Sequence, residues 1–477
     1  MKKLVSLVLA VALIMTAMAM VSVAGASGEK ITLTFLDISP REARATYYND
    51  VFARYTAEKN PNVTIEYEEV PWDDAHTKVV TMAATNDLPD LLNCSPGWIT
   101  EFKDSDWIAS LDDYVADSGI TDTFVGSMKT IFDKQVEDYG HIYIIPDGLT
   151  TSCIYVRADW IKETLGIEYT ELIDEGWTWE RYLQLCHELT DPEKGRYGIS
   201  FRGGMGSVDR ITEYMMAMRS EPGVMWANTD NMDELDYLYN TEEDVTLLNE
   251  YLSLYWDGCA PTDAVNWAFV EMVDNFCGGL TGTLFNDMEV VASILASDLT
   301  EDQWGVLPVP SAMDGRIFMG VNGNTYSYAI SNQTEYKDEA WDVLSYLYEG
   351  TNNADYCKIM TLFPLSLSAT EDPFFGEDGP MAGFLYEINS PDLWKAESTY
   401  GPSPEVTQID LYDGTAELQK VLLKQESVED FLAWYDDHIT EATKTYFEEN
   451  PEQLERVDQI FGKVEPYATS RDAVSIK

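Results

Sequence analysis

Basic residues are scarce in this chain: 30 Lys and Arg stand against 84 Asp and Glu in 477 residues, a formal net charge of −54. A surface of that sign repels phosphate backbones and anionic headgroups, so no nucleic acid and no membrane surface is expected as a partner. Histidine is scarcer still. His76, His141, His187 and His438 show no metal-ligand spacing and no H-E-x-x-H occurs, so no metal is expected. The six cysteines (Cys94, Cys153, Cys186, Cys259, Cys277 and Cys357) contain no C-x-x-C pair and are expected as free, mostly buried thiols. There is no G-x-S-x-G elbow, and Gly203-Gly204-Met205-Gly206-Ser207 lacks the Lys of a phosphate-binding loop. No cofactor is expected. Among 84 acids, two carboxylates at the ~5–10 Å spacing of a glycosidase arise by abundance alone and carry no signal. Internal repeats and Ser- or Gly-rich linkers are missing, so two domains would be joined by several crossings instead of one tether.

What the chain does have begins with a short address. Lys2 and Lys3 precede an almost wholly apolar stretch, residues 4–23, and Ala24-Gly25-Ala26 supplies small residues for cleavage. Residues 1–26 are read as a secretory signal peptide and the mature chain as extracytoplasmic, periplasmic or secreted. Val23-Ala24-Gly25 is similar to the start of a lipoprotein box. Ala26 stands where the lipidated Cys would be, so a diffusible protein is expected. No other run approaches the ~20 apolar residues that span a bilayer. Aromatics are plentiful, with 13 Trp and 28 Tyr, enough to line a site as well as a core.

Strand and helix patterns alternate along the mature chain. Residues 31–36 read as a strand, Tyr48, Val51, Phe52 and Tyr55 as one helical stripe, and Val63, Ile65 and Tyr67 as a second strand. A helix over 74–85, a short strand over 89–92, and strands over 141–145 and 153–156 follow. Thr178 caps a helix running to about Leu189. Residues 197–201 and 306–310 read as strands, 326–330 as another, and 338–348 as a helix. Ser427 and Asp430 form a capping signature ahead of a C-terminal helix. Such alternation implies βαβ units and mainly parallel sheets with flanking helices.

Several segments, taken in order, resemble one family. Ala83-Ala84-Thr85-Asn86-Asp87-Leu88-Pro89-Asp90-Leu91 is similar to a helix-to-strand junction ending in Pro-Asp. Trp107-Ile108-Ala109-Ser110-Leu111-Asp112-Asp113-Tyr114 is similar to the stretch after it, and Tyr139-Gly140-His141-Ile142-Tyr143-Ile144-Ile145-Pro146 to a crossover. Thr178-Trp179-Glu180, Tyr197-Gly198-Ile199 and Gly305-Val306-Leu307-Pro308-Val309-Pro310 complete the order. Together they resemble the extracellular solute-binding proteins of ABC importers, in the maltose-, oligosaccharide- and glycerol-phosphate-binding branch. Val156-Arg157 and Gly278-Gly279-Leu280 depart from that pattern. The resemblance implies a two-lobed α/β periplasmic-binding-protein fold of type II with the ligand in the cleft between lobes. By analogy the first lobe takes 27–148 and 311–358, and the second takes 149–310 and 359–477. It further implies a monomer that binds a carbohydrate ligand, delivers it to membrane permease subunits of an ABC importer, and is not an enzyme. A secreted glycoside hydrolase, and a binder of a peptide or polyamine, are the alternatives.

A sugar offers hydroxyls at its rim and C–H bonds on its faces, so its site calls for aromatic platforms ringed by carboxylates, amides and Arg. In open α/β sheets such groups sit in loops beyond the carboxyl ends of strands. That rule selects Asp37 and Arg41 after the first strand, Trp72 (with Asp73 and Asp74) after the second, and Asn93, Ser95 and Trp98 after the third. It adds Asp147, Thr150 and Thr151 beyond the first crossing, Arg202 with Gly203 and Gly204, then Phe285, Asn286 and Asp287, and finally Asn322 and Asn324. Trp226, Trp267 and Trp394 are further platform candidates.

Overall fold

The computed structural model describes residues 30–174, 176–219, 226–228, 231–311, 321–323, 326–377, 379–385, 406, 409–451 and 454. The expected signal peptide, Asn324 and Trp394 lie outside the described residues, as do the side chains of Asp73, Trp226 and Asn322.

The first lobe grows from strand β1 (Ile31–Asp37), whose Leu33 and Phe35 pack into the core on one face and Leu36 on the other. Phe35 meets Tyr48 at 4.6 Å and Phe52 at 5.2 Å between ring centroids on helix α1 (Glu42–Glu58). Tyr48, Val51, Phe52 and Tyr55 recur at the spacing of one helical face and are all buried, each contributing about 1.5–3 kcal/mol of hydrophobic stabilisation. The opposite face of the sheet, with Leu36, Leu92 and Cys94, packs under α2 (Trp72–Ala84) and α3 (Ile99–Asp104). Strand order is β2 (Val63–Glu69), β1, β3 (Leu91–Cys94), β12 (Ser327–Ile330), β4 (Ile145–Pro146).

The second lobe's sheet has the order β10 (Gly305–Pro308), β5 (Leu149–Val156), β9 (Thr281–Asp287), β6 (Tyr197–Ile199), with β11 (Val321–Gly323) also pairing with β5. A separate ribbon joins β7 (Trp226–Ala227) to β8 (Asp236–Tyr237). Helix α4 (Trp179–Glu188) is capped by Thr178, whose Oγ1 accepts the Arg181 amide at 3.3 Å, and buries Trp179, Tyr182, Leu185 and Cys186. Helices α5 (Ser207–Met218), α6 (Glu242–Trp256), α7 (Phe269–Cys277), α8 (Val290–Ala296), α10 (Gly414–Leu422) and α11 (Val428–Glu449) cover this lobe. Helix α9 (Asn352–Met360) instead packs on α1.

The sheets are mixed, which corrects the expectation of mainly parallel ones. Strands β2 and β3 run parallel to β1, and β6 to β9; β12, β5, β9 and β10 make their other pairings antiparallel. The cause is the multiple crossing. A strand entering a lobe from the other lobe starts at the end where outgoing strands finish, so β12 and β5 run against their neighbours.

The crossings are bonded to one another. Leu149 and Phe363 exchange backbone hydrogen bonds of 2.8 and 2.9 Å, while Leu149 to Thr151 pair with Gly323 to Val321. At Gly148 the packing admits no side chain, since a Cβ there would lie 2.8 Å from Leu362 Cβ. Thr361 takes a left-handed φ of 51° and donates its hydroxyl to the Met288 carbonyl at 3.2 Å, tying α9 to the second lobe. Residues 321–323 thus pair with the start of β5. Beyond α9, Leu365 and Leu367 bond to Val125 and Thr123, and Leu362, Phe363 and Leu365 are buried.

Candidate ligand cleft

Strands β1, β2, β3 and β4 end facing β6, β9 and β10, so both sets of carboxyl-terminal loops meet at the crossings. On the first lobe this rim is aromatic. Trp72 opens α2 and is 37% exposed; its indole stacks on that of Trp98 at 5.4 Å and 17°. Tyr326 closes the corner edge-on at 5.7 Å and 83°. Behind Trp98 lie His76, held at 2.7 Å by Glu101, and Phe102, which fix the indole's plane. Ser95 is half-buried at the start of the turn carrying Trp98.

Four expected contact residues are enclosed. Asp37 has no exposed surface: it pairs with Arg44 Nε at 3.1 Å and accepts from the Ser39 amide at 3.0 Å and the Tyr67 hydroxyl at 2.9 Å. Asn93 is also enclosed, its Oδ1 accepting from Arg44 Nη2 at 2.8 Å. Asp147 accepts the Tyr356 hydroxyl, and its carbonyl takes the Asn353 amide at 3.2 Å. Asn286 is buried and accepts from the Asp287 amide at 2.8 Å. The strand-end rule found these residues correctly as strand ends, but their side chains turn inward.

The second lobe presents charge instead of rings. Asp287 accepts two bonds from Arg210, 2.7 and 3.2 Å, and one from Ser152 at 2.8 Å. Burial alone would raise the Asp287 carboxyl, yet Arg210, Ser152 and Arg202 hold it below the usual range. Arg210 also lies 5.5 Å from the Phe285 ring centroid. Arg202 is half-buried with Nε bonded to the Met205 carbonyl at 2.8 Å. Glu289 sits just past β9, its carboxyl raised by burial and by Asp287 against the opposing pull of Arg41, Arg210 and Arg202. Arg41 is exposed on the first lobe, at the head of α1. The crossing strand carries half-buried Thr150 beside Asn322, and Thr151 is enclosed.

Of the residues selected from the sequence, Arg41 and Trp72 are exposed and Ser95, Trp98, Arg202 and Asp287 are half-buried; Tyr326, Arg210 and Ser152, which lie against Trp72 and Asp287, were not among those selected. Tyr326 precedes an antiparallel strand, so its amino-terminal end faces the cleft, which a rule built on parallel sheets overlooks. Gly203 and Gly204 prove to be packing residues: Cβ atoms there would lie 2.7 Å from the carbonyls of Ala264 and Asn266. Trp267 is buried, so it is not an exposed platform. Among the described residues no cluster of three or more His, Cys, Asp or Glu could hold a metal ion, and no helix is long and apolar enough to cross a membrane.

The bacterial extracellular solute-binding protein model matches residues 39–350, well over half of the chain. The chain belongs to that family. Among curated relatives of this solute-binding protein, a Brucella abortus protein named as a binding protein is 23% identical over 343 residues, 71% of this chain and 77% of that one. Among solved structures, the sugar-binding protein MalE from Xanthomonas citri aligns at a TM-score of 0.70 and 20% identity, covering 89% of this chain and 100% of that one. An ABC transporter solute-binding protein from Thermotoga lettingae, bound with α-D-tagatose, aligns at 0.68 and 15% identity over 86% and 99%. The two-lobed architecture of this solute-binding protein is thus that of the MalE fold.

Proposed function

We propose that this protein captures a carbohydrate between its lobes outside the cytoplasmic membrane and delivers it, as a monomer, to the permease of an ABC importer. The observation that carries the reading is the aromatic corner of Trp72, Trp98 and Tyr326 opposite the charged groups around Asp287 and Glu289. A pyranose or furanose ring stacks its C–H face on an indole while its hydroxyls reach charged donors and acceptors. The tagatose held by the Thermotoga lettingae structure and the sugar-binding name of the Xanthomonas citri one support the same ligand class. Closure of the lobes follows if the ligand touches both, because differential contact is what favours the closed state.

Catalysis has little support in this geometry. Asp287 is tied to Arg210 and Ser152, an arrangement that suits a fixed carboxylate and not a general acid. Residues 1–26 serve as the export signal in this reading. The test is a thermal-shift screen of the purified mature chain against mono- and oligosaccharides. A rise in melting temperature with no turnover of the sugar is expected; silence across sugars with a response to a peptide or polyamine would overturn the carbohydrate assignment.

A further inference from the structure

Trp72 and Trp98 stand at two helix starts that carry no side-chain cap bond: Trp72 is the first residue of α2, after Pro71, and Trp98 is itself the residue ahead of α3. The leading N–H groups of a helix have no partner within it, so neither start fixes its own indole. A tie lies one turn deeper. His76 is four residues beyond Trp72 on α2 and Glu101 three beyond Trp98 on α3, which sets each beside its indole. His76 Nε2 lies 2.7 Å from Glu101 Oε2; a carboxylate only accepts, so the imidazole donates. The same imidazole packs on two rings from the α3 side, 5.2 Å and 61° from Trp98 and 6.3 Å and 14° from Phe102.

Those contacts also decide which indole meets a ligand. Trp98 gives one face to Trp72 at 5.4 Å and 17°, and is flanked by His76 and by Phe102 at 5.7 Å and 48°. It is a backing plate. Trp72 is stacked on one face only and stays 37% exposed, with Tyr326 edge-on beside it.

We propose that His76 and Glu101 are positioning residues: their hydrogen bond is a strut that seats Trp98 and, through it, sets the angle at which Trp72 meets a saccharide ring. Neither side chain contacts the ligand in this scheme. The inference rests on the carbohydrate reading and adds to it the groups that act from behind the platform. Both side chains keep surface in water, at 37% and 35% exposure, so either can be replaced without opening a core. A strut of this kind has one signature: its loss is felt only while Trp72 is present.

Far-UV circular dichroism of the mature chain reads the stack with no ligand present, because stacked indoles couple their transitions into a couplet. The couplet is the wild-type spectrum minus that of Trp72→Phe. Glu101→Ala and His76→Phe should each lose most of it with little change in melting temperature. Glu101→Gln, whose amide oxygen still accepts from the imidazole, should keep it. D-Tagatose, maltose and maltotetraose serve as binding probes. For whichever binds, Glu101→Ala should weaken affinity ~3- to 5-fold, below the ~5- to 10-fold of Trp72→Ala, and cost nothing further in a Trp72→Ala background. A couplet unchanged in Glu101→Ala overturns the strut, whatever the chain binds. An additive loss in the double variant overturns it too, since Glu101 would then touch the sugar itself. Silence of the wild type toward all three sugars, with the couplet lost in Glu101→Ala, upholds the strut and overturns the carbohydrate reading alone.

Discussion

Arg44 and Asp37 face each other at 3.1 Å inside the first lobe with neither side chain exposed. The pair links three elements of the lobe, because Arg44 also bonds Asn93 on β3 and lies 4.7 Å from the Tyr326 ring. Removing one partner strands the other charge in a dry interior. Arg44→Met is expected to cost about 3–5 kcal/mol of folding stability, measured by urea denaturation. Arg44→Met combined with Asp37→Leu should recover part of that loss, since no charge is then left unpaired. Additive losses in the double variant would show that the pair is not coupled.

The stacked indoles separate binding from folding. Trp72 is partly exposed and leans on Trp98, which is itself braced by His76 and Phe102. Trp72→Ala should weaken a bound sugar roughly 5- to 10-fold, the ~1 kcal/mol scale of one aromatic face, and leave the melting temperature almost unchanged. Trp98→Ala should lower both affinity and stability. An affinity unchanged in Trp72→Ala, by titration of intrinsic fluorescence, would remove the platform from the site.

Stability should fall as pH rises from acid to neutral, and Asp436 is one cause. Its carboxyl on α11 is pushed up to about 7 by burial and by Asp236, Asp437 and Asp244, opposed by a bond from the Tyr239 backbone. Its Oδ1 is buried without a donor. The native state therefore binds this proton more tightly than the unfolded chain. The resulting stability is full below the ordinary carboxyl range and is lost as pH climbs through about 7. Asp436→Asn should flatten that slope, and melting curves taken across the same pH range check it.

Thiol chemistry gives a further readout of the packing. Five cysteines are buried and Cys277 is half-buried, all of them free. Burial pushes Cys94 and Cys186 up to about 12 and raises Cys277 as well. Aromatic disulfide reagents should titrate Cys277 first and slowly in native protein, and all six thiols only after denaturation. Rapid reaction of several thiols in the native state would contradict this core.

Local signals survived folding well. The stripe of Tyr48, Val51, Phe52 and Tyr55 and the caps Thr178 and Ser427 are read from neighbours a few residues apart, and each forms as expected. The start of α2 lies two residues earlier than its pattern suggests, which lifts Trp72 onto the first helical turn beside Trp98. Residues 141–144, expected as strand, are held instead by Gln135, whose side chain bonds Tyr143 and Ile144. The unread part of the site is non-local. Tyr326 depends on the direction of β12, and the inward turn of Asp37 depends on Arg44 and Tyr67, none of which periodicity reports.

The position of β12 also orders events in time. It lies between β3 and β4 in the first sheet, yet it is the last strand of the chain among the described residues. Until Ile330 has been synthesised, β3 has an open edge and β4 has no neighbour to pair with. The first lobe cannot complete itself before most of the second has been made, although domains more often finish in the order of synthesis. For a member of an extracellular family, the permuted strand means that the first sheet can close only after 330 of the 477 residues have been made.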